Sequence, residues 1–152
     1  TTVTVGFGVL EASDDNDTSD TDTSTYHIGA VAVNGDLTVG VGVGAGDFSD
    51  DMADDHQEVY DWEAIEAGVS YVSGDLTFTA SYGSAEATDV GSGSASSGTA
   101  DSVERTKMSI DYAVASGVTT TIGYMSQEGE DEGSKNDTSS GSSWYIGTNL
   151  SF

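Results

Sequence analysis

The stretch Ser142-Ser143-Trp144-Tyr145-Ile146-Gly147-Thr148-Asn149-Leu150-Ser151-Phe152 decides the fold. Trp144, Ile146, Thr148, Leu150 and Phe152 fall on one face at period two, and Tyr145, Gly147, Asn149 and Ser151 fall on the other. One face is apolar and aromatic; the other is polar or small. That alternation is a β-strand between two different environments. A soluble protein seldom ends on a bare apolar strand, because such an edge invites aggregation. A strand whose outer face meets lipid and whose edges are both paired escapes that problem.

Working back from this stretch, the same alternation recurs. Val3, Val5, Phe7 and Val9 share a face against Thr2, Thr4, Gly6 and Gly8. Tyr26 to Val33 reads as a second strand, closed by the tight-turn signal Asn34-Gly35-Asp36. Leu37, Val39, Val41, Val43 and Ala45 alternate with Thr38, Gly40, Gly42, Gly44 and Gly46. Tyr60 to Val72 is a fourth strand, followed by the turn Ser73-Gly74-Asp75. Leu76, Phe78, Ala80 and Tyr82 alternate with Thr77, Thr79, Ser81 and Gly83. Thr106, Met108, Ile110, Tyr112 and Val114 alternate with Arg105, Lys107, Ser109, Asp111 and Ala113, and Ala115-Ser116-Gly117 is the third short turn. Val118, Thr120, Ile122 and Tyr124 lead into the last long loop. The pattern predicts eight strands, all antiparallel, in one all-β domain spanning residues 1–152.

The connections are of two kinds and alternate strictly. Short turns lie at Gly35, Gly74 and Gly117, and Gly35-Asp36-Leu37-Thr38-Val39 parallels Gly74-Asp75-Leu76-Thr77-Phe78, so the repeat unit is a hairpin pair. Long loops are expected at Ser13–Ser24, Asp47–Glu58, Glu86–Glu104 and Gln127–Gly141. The third contains the low-complexity run Gly91-Ser92-Gly93-Ser94-Ala95-Ser96-Ser97-Gly98, read as a loop rather than a linker. Short turns at one end and long loops at the other are the signature of a transmembrane β-barrel. A soluble sandwich has turn signals too, but nothing forces its long loops to one end.

Composition agrees. The 152 residues include 20 Gly and neither Pro nor Cys, which removes disulfide scaffolds and thiolate metal sites together. Acids number 27 against 3 basic residues, for a formal net charge of −24, so a phosphate backbone would be repelled and nucleic acid is excluded as a partner. High charge with only 36% hydrophobic residues also describes disordered chains. Here, however, most acids gather in the four loops and leave the strand bodies nearly uncharged, as a lipid-facing band requires. No apolar run approaches the roughly 18 residues of a membrane helix. Aromatic residues complete the pattern. Tyr26, Tyr82, Tyr124 and Trp144 lie at the loop ends of their strands, and Tyr71, Phe78, Tyr112 and Phe152 near the turn ends. Two aromatic girdles around an aliphatic band mark the two interfaces of a bilayer.

With these features the chain resembles the C-terminal half of a general bacterial outer-membrane porin, of the trimeric proteobacterial family. The hairpin repeat and the ending Tyr145-Ile146-Gly147-Thr148-Asn149-Leu150-Ser151-Phe152 carry the resemblance. It implies an outer-membrane location in a Gram-negative bacterium, lipid and lipopolysaccharide as surroundings, a homotrimer, and sixteen strands per subunit. It also implies that the terminal Phe152 is an assembly signal. Eight strands are half that number. The face opposite the apolar one is mainly Gly, Thr, Ser and Ala, which would leave a void inside a closed eight-stranded barrel. A wide water-filled pore tolerates such a wall. Thr2-Val3-Thr4-Val5-Gly6-Phe7 also parallels Thr119-Thr120-Thr121-Ile122-Gly123-Tyr124 after the Gly117 turn, so further hairpins are expected upstream of Thr1.

No catalytic constellation is present, and no enzyme, cofactor or metal centre is expected. His27 and His56 are far apart, with no ligand-spaced residues around them. Asp14-Asp15-Asn16-Asp17 lacks the Gly and Glu that complete a calcium loop. Asn16-Asp17-Thr18 and Asn136-Asp137-Thr138 match a glycosylation sequon that carries no meaning in a bacterial envelope. Glu66, Arg105, Lys107 and Asp111 are the candidate pore-lining charges, competing with a reading in which they are merely solvated near a strand end. The sequence thus predicts a passive, cation-preferring channel for ions and small hydrophilic solutes. The alternative is an acidic surface-exposed β-protein for adhesion or binding, without channel activity. A third reading is a secreted acidic structural protein.

Overall fold

The computed structural model of the chain describes residues 1–16, 19–52, 56–89, 100–131 and 137–151. They form β1 (Thr2–Asn16), β2 (Ser19–Asn34), β3 (Leu37–Met52), β4 (His56–Ser73), β5 (Leu76–Asp89), β6 (Ala100–Ala115), β7 (Val118–Asp131) and β8 (Asp137–Leu150). The strands make one antiparallel sheet in the order β1-β2-β3-β4-β5-β6-β7-β8. Each strand contacts only its sequence neighbours, so among the described residues the sheet is open and β1 does not meet β8.

The short turns set the register. Asn34 pairs with Leu37 and Ser73 with Leu76, which leaves two-residue loops at Gly35-Asp36 and Gly74-Asp75. Gly35 and Gly74 have φ of 61° and 62°, the left-handed value that a tight hairpin demands at its first central position. At the third turn Gly117 takes the second position with φ 76°, and the neighbouring β6–β7 ladder shifts between Ala113 and Ala115. That bulge leaves Val114 outside the alternation expected for it. Hydrogen bonds from Val72 N to Asp36 O (2.9 Å), from Ala113 N to Asp75 O (2.9 Å) and from Ser151 N to Gly117 O (2.8 Å) stitch the three turns along one rim.

At the opposite rim the strands run further than the sequence suggested. Expected loops at Ser13–Ser24, Asp47–Glu58, Glu86–Glu104 and Gln127–Gly141 are ladder wherever they are described: β1 reaches Asn16, β3 reaches Met52, β5 reaches Asp89 and β7 reaches Asp131. Asp, Ser and Thr are poor strand formers in isolation. In a hairpin whose base is already fixed, each further rung satisfies backbone N–H and C=O groups at little extra cost. The strands are 14 to 18 residues long. Only about 9–11 are needed to cross a bilayer, so the surplus projects beyond it. The run Gly91–Gly98, Asp17 and Phe152 lie outside the described residues.

No hydrophobic core exists among the described residues. The sheet is a single layer, and its apolar side chains remain exposed on one face. On the interior strands Val39 and Val69 are 45% and 41% exposed, whereas Phe7 on β1 and Ile146 on β8 reach 82% and 76%, because the edge strands lack a neighbour. A soluble sandwich would cover this face with a second sheet. Lipid covers it in a membrane barrel.

Candidate functional site

The register sorts the side chains into two faces. Directly paired residues point the same way, so the row Val5, Ala30, Val41, Ala67 and Tyr82 marks one face across five strands. Ile110 pairs with Phe78 and Ile122, and Ile122 with Ile146, on that same face. Tyr26, Tyr71, Tyr82, Tyr112, Tyr124 and Trp144 all lie on it. Tyr71 is directly opposite Phe78, and Tyr124 is opposite Trp144 with ring centroids 4.9 Å apart and planes tilted by 51°. Phe152, the remaining girdle candidate, falls outside the described residues.

Just past the upper aromatics, the apolar face turns acidic. Asp47 pairs with Asp61, Glu63 with Glu86, and Glu104 with both Ser84 and Glu128. Like charges directly opposite one another destabilise a ladder. Two of these acids are engaged by hydroxyls: Ser24 Oγ donates to Asp47 Oδ1 at 2.7 Å, and Tyr82 Oη donates to Glu104 Oε1 at 2.9 Å.

The opposite face is built mainly of small residues, with Glu66, Arg105, Lys107 and Asp111 among its charged ones. Glu66 on β4 is flanked by Gly42 and Gly83. Gly83 is in turn opposite Arg105 on β6, so Glu66, Gly83 and Arg105 form one rung. Arg105 continues that rung to Gln127, whose Oε1 accepts from both Nε (3.2 Å) and Nη2 (3.1 Å). Lys107 lies between Ser81 and Met125, and Asp111 between Thr77 and Thr121. The Thr121 hydroxyl donates to Asp111. All four candidates share this face. Glu66, Arg105 and Lys107 line one open cavity of about 700 Å³ with Gly42, Gly68 and Gly83 in its floor. Asp111 stands apart from it, toward the turn rim.

The glycine lane of β3 is less bare than the alternation suggested. The Trp62 ring lies 3.4 Å from where a Cβ on Gly44 would stand, and its Nε1 lies 2.8 Å from the same position on Gly46. His27 covers Gly8 in the same way, and Tyr145 covers Gly123, the one buried residue among those described. Aromatic rings laid on glycines of the neighbouring strand recover contact area that glycine alone forfeits. The contacts of these rings with glycines, and Gln127 as the partner of Arg105, were not anticipated from the sequence. Among the described residues no group of three His, Asp or Glu side chains has the spacing to hold a metal ion.

No family model matches the chain, and no curated protein matches it in sequence. In structure it is similar to OmpTdeltaL8, a loop L8 deletion mutant of OmpT and an outer membrane protein of Vibrio cholerae. The TM-score is 0.57 at 17% identity, over 97% of this chain and 48% of that one. The chain thus spans about half the length of the structure it resembles. At this identity the likeness concerns the fold. The chain has the fold of an outer-membrane β-barrel, eight antiparallel strands of it, and an outer-membrane location accords with that fold.

Proposed function

We propose that this chain forms part of the wall of a water-filled channel, a general porin that passes ions and small hydrophilic solutes by passive diffusion. The observation that carries the proposal is the two-faced single layer. One face is a banded apolar surface suited to lipid, and the other is a polar wall of small residues suited to water. A small closed barrel would need bulk on that second face, and Gly40, Gly42, Gly68 and Gly83 supply none. The reading therefore takes a sixteen-stranded barrel in which eight further strands complete the wall, assembled as a homotrimer in lipid and lipopolysaccharide. It assigns no enzymatic activity and no cofactor.

The channel prefers cations. The projecting hairpins carry most of the chain's 27 acids against 3 basic residues in all. A mouth so charged concentrates cations and repels anions within a Debye length of about 8 Å at physiological salt. Arg105 and Lys107 oppose this locally but cannot reverse it. The measurement is the reversal potential of the intact protein in a planar bilayer across a salt gradient, at two ionic strengths. Cation preference should be stronger in dilute salt. Anion selectivity, or a preference that grows with salt, overturns the proposal. The projecting acidic ladders also suit a display surface for adhesion, and a protein that binds cells but conducts nothing would decide for that reading instead.

A further inference from the structure

The chain has only three basic residues, and two of them, Arg105 and Lys107, occupy consecutive positions on the small-residue face of β6. Glu66 shares the rung of Arg105, two strands away. Opposite charges this close normally pair with each other. Here they do not. Arg105 is turned toward the far side, where Gln127 on β7 holds its Nε and Nη2. Glu66 leans toward β6, over Gly83, with its Cγ 3.5 Å and its Oε1 3.9 Å from the position a Cβ there would take, but Arg105 is turned away from it. Lys107 is exposed, one rung nearer the turns.

We infer that Glu66, Arg105 and Lys107 form a binding station for small zwitterionic solutes, Glu66 receiving an ammonium group and Arg105 with Lys107 a carboxylate. Two interstrand steps set the backbones of Glu66 and Arg105 about 10 Å apart. Glu66 overhangs β5 while Arg105 turns toward β7, so the charged heads stay separated by a distance close to that backbone spacing of about 10 Å, the scale of a small amino acid with a hydrogen bond at each end. Between them the floor is Gly83 and Ser81, which leave the gap open. The three side chains share one cavity of about 700 Å³, room enough for such a solute with its water. A simple cation passing this point meets two positive groups, and a simple anion meets Glu66 beneath an acidic mouth. A solute carrying both charges satisfies both sides at once. The same field orients it with its ammonium toward β4 and its carboxylate toward β6.

The inference rests on the channel reading and is tested by a ratio that separates the two. Alanine and lactamide are isomers of equal mass, one zwitterionic and one uncharged. Their entry into liposomes carrying the intact protein is followed by swelling rate. The wild type should admit alanine faster than lactamide. Glu66→Gln, and separately Arg105→Gln with Lys107→Gln, should lower the alanine-to-lactamide ratio about two- to fivefold, the range that solvent-exposed ion pairs give. The lactamide rate reports in each variant that the pore is assembled. A second measurement needs no variant: alanine, but not lactamide, should reduce single-channel conductance in a saturable way. Equal entry of the two solutes in the wild type, a ratio unmoved by the substitutions, or conductance indifferent to alanine overturns the station while leaving the channel standing. No swelling with either solute overturns the channel and the station together.

Discussion

Adjacent residues on β6 make the sharpest contrast at the residue scale. Ile110 sits on the apolar face between Phe78 and Ile122, while Ser109, one position earlier, faces the other way between Thr79 and Gly123. An arginine at Ile110 would place a charge in the hydrocarbon, at a cost of about 2–4 kcal/mol near the midplane. Ser109→Arg would point into the polar side and should cost far less. Denaturant titration of the two variants folded into lipid vesicles measures the difference, and equal costs would mean that the register is shifted by one residue. The two faces were legible in the sequence because a period of two needs no knowledge of the partner strand. The ring-on-glycine contacts were not legible. Pairing Trp62 with Gly46 depends on the register across the β3–β4 hairpin, and nothing in the run Asp47 to Glu58 marks where that hairpin folds back. His27 over Gly8 and Tyr145 over Gly123 likewise bridge strands joined at the acidic rim.

At the scale of the elements, the same asymmetry explains what the sequence revealed and what it hid. The turns announce themselves, since Gly35 and Gly74 each precede Asp and then Leu-Thr, and a two-residue loop fixes its hairpin outright. The acidic hairpins carry no such mark, and their composition resembles that of a loop although their backbone continues the ladder. Their stability should therefore depend on salt in a way that the membrane band does not. Asp47 against Asp61, Glu63 against Glu86 and Glu104 against Glu128 are like-charged pairs on directly opposed positions, and such pairs destabilise the ladder. Raising ionic strength from about 0.01 M to about 1 M shortens the Debye length from about 30 Å to about 3 Å, less than the separation of such a pair. Amide hydrogen exchange around residues 61–63, 84–86 and 103–105 should slow as salt is raised, while exchange around residues 39–43 and 108–110 stays constant. Uniform behaviour along the strands would show that charge repulsion does not govern the projecting rim.

For the whole molecule, the decisive feature is that the sheet, among the described residues, does not return on itself. A closed eight-stranded barrel would abolish its edges, yet β1 and β8 make no contact with each other among the described residues. The physical reason lies on the small-residue face. A barrel so narrow must fill its interior with side chains, and the β3 lane from Gly40 to Gly46 cannot fill it even with Trp62 laid across part of it. Closure with further strands lets the same face border water. The chain contains no cysteine, so introduced thiols give a clean test. In the intact protein, cysteines at Ile122 and Ile146, which are directly opposite on β7 and β8, should be joined readily by a short thiol cross-linker. A cysteine at Phe7 on β1, combined in turn with one at Trp144, Ile146, Thr148 or Leu150, should not be joined within one chain under the same conditions. Efficient linkage of any of these β1–β8 pairs would mean that eight strands close by themselves. The small-residue face would then line a narrow plugged barrel, and a wide diffusion pore would have no room to exist.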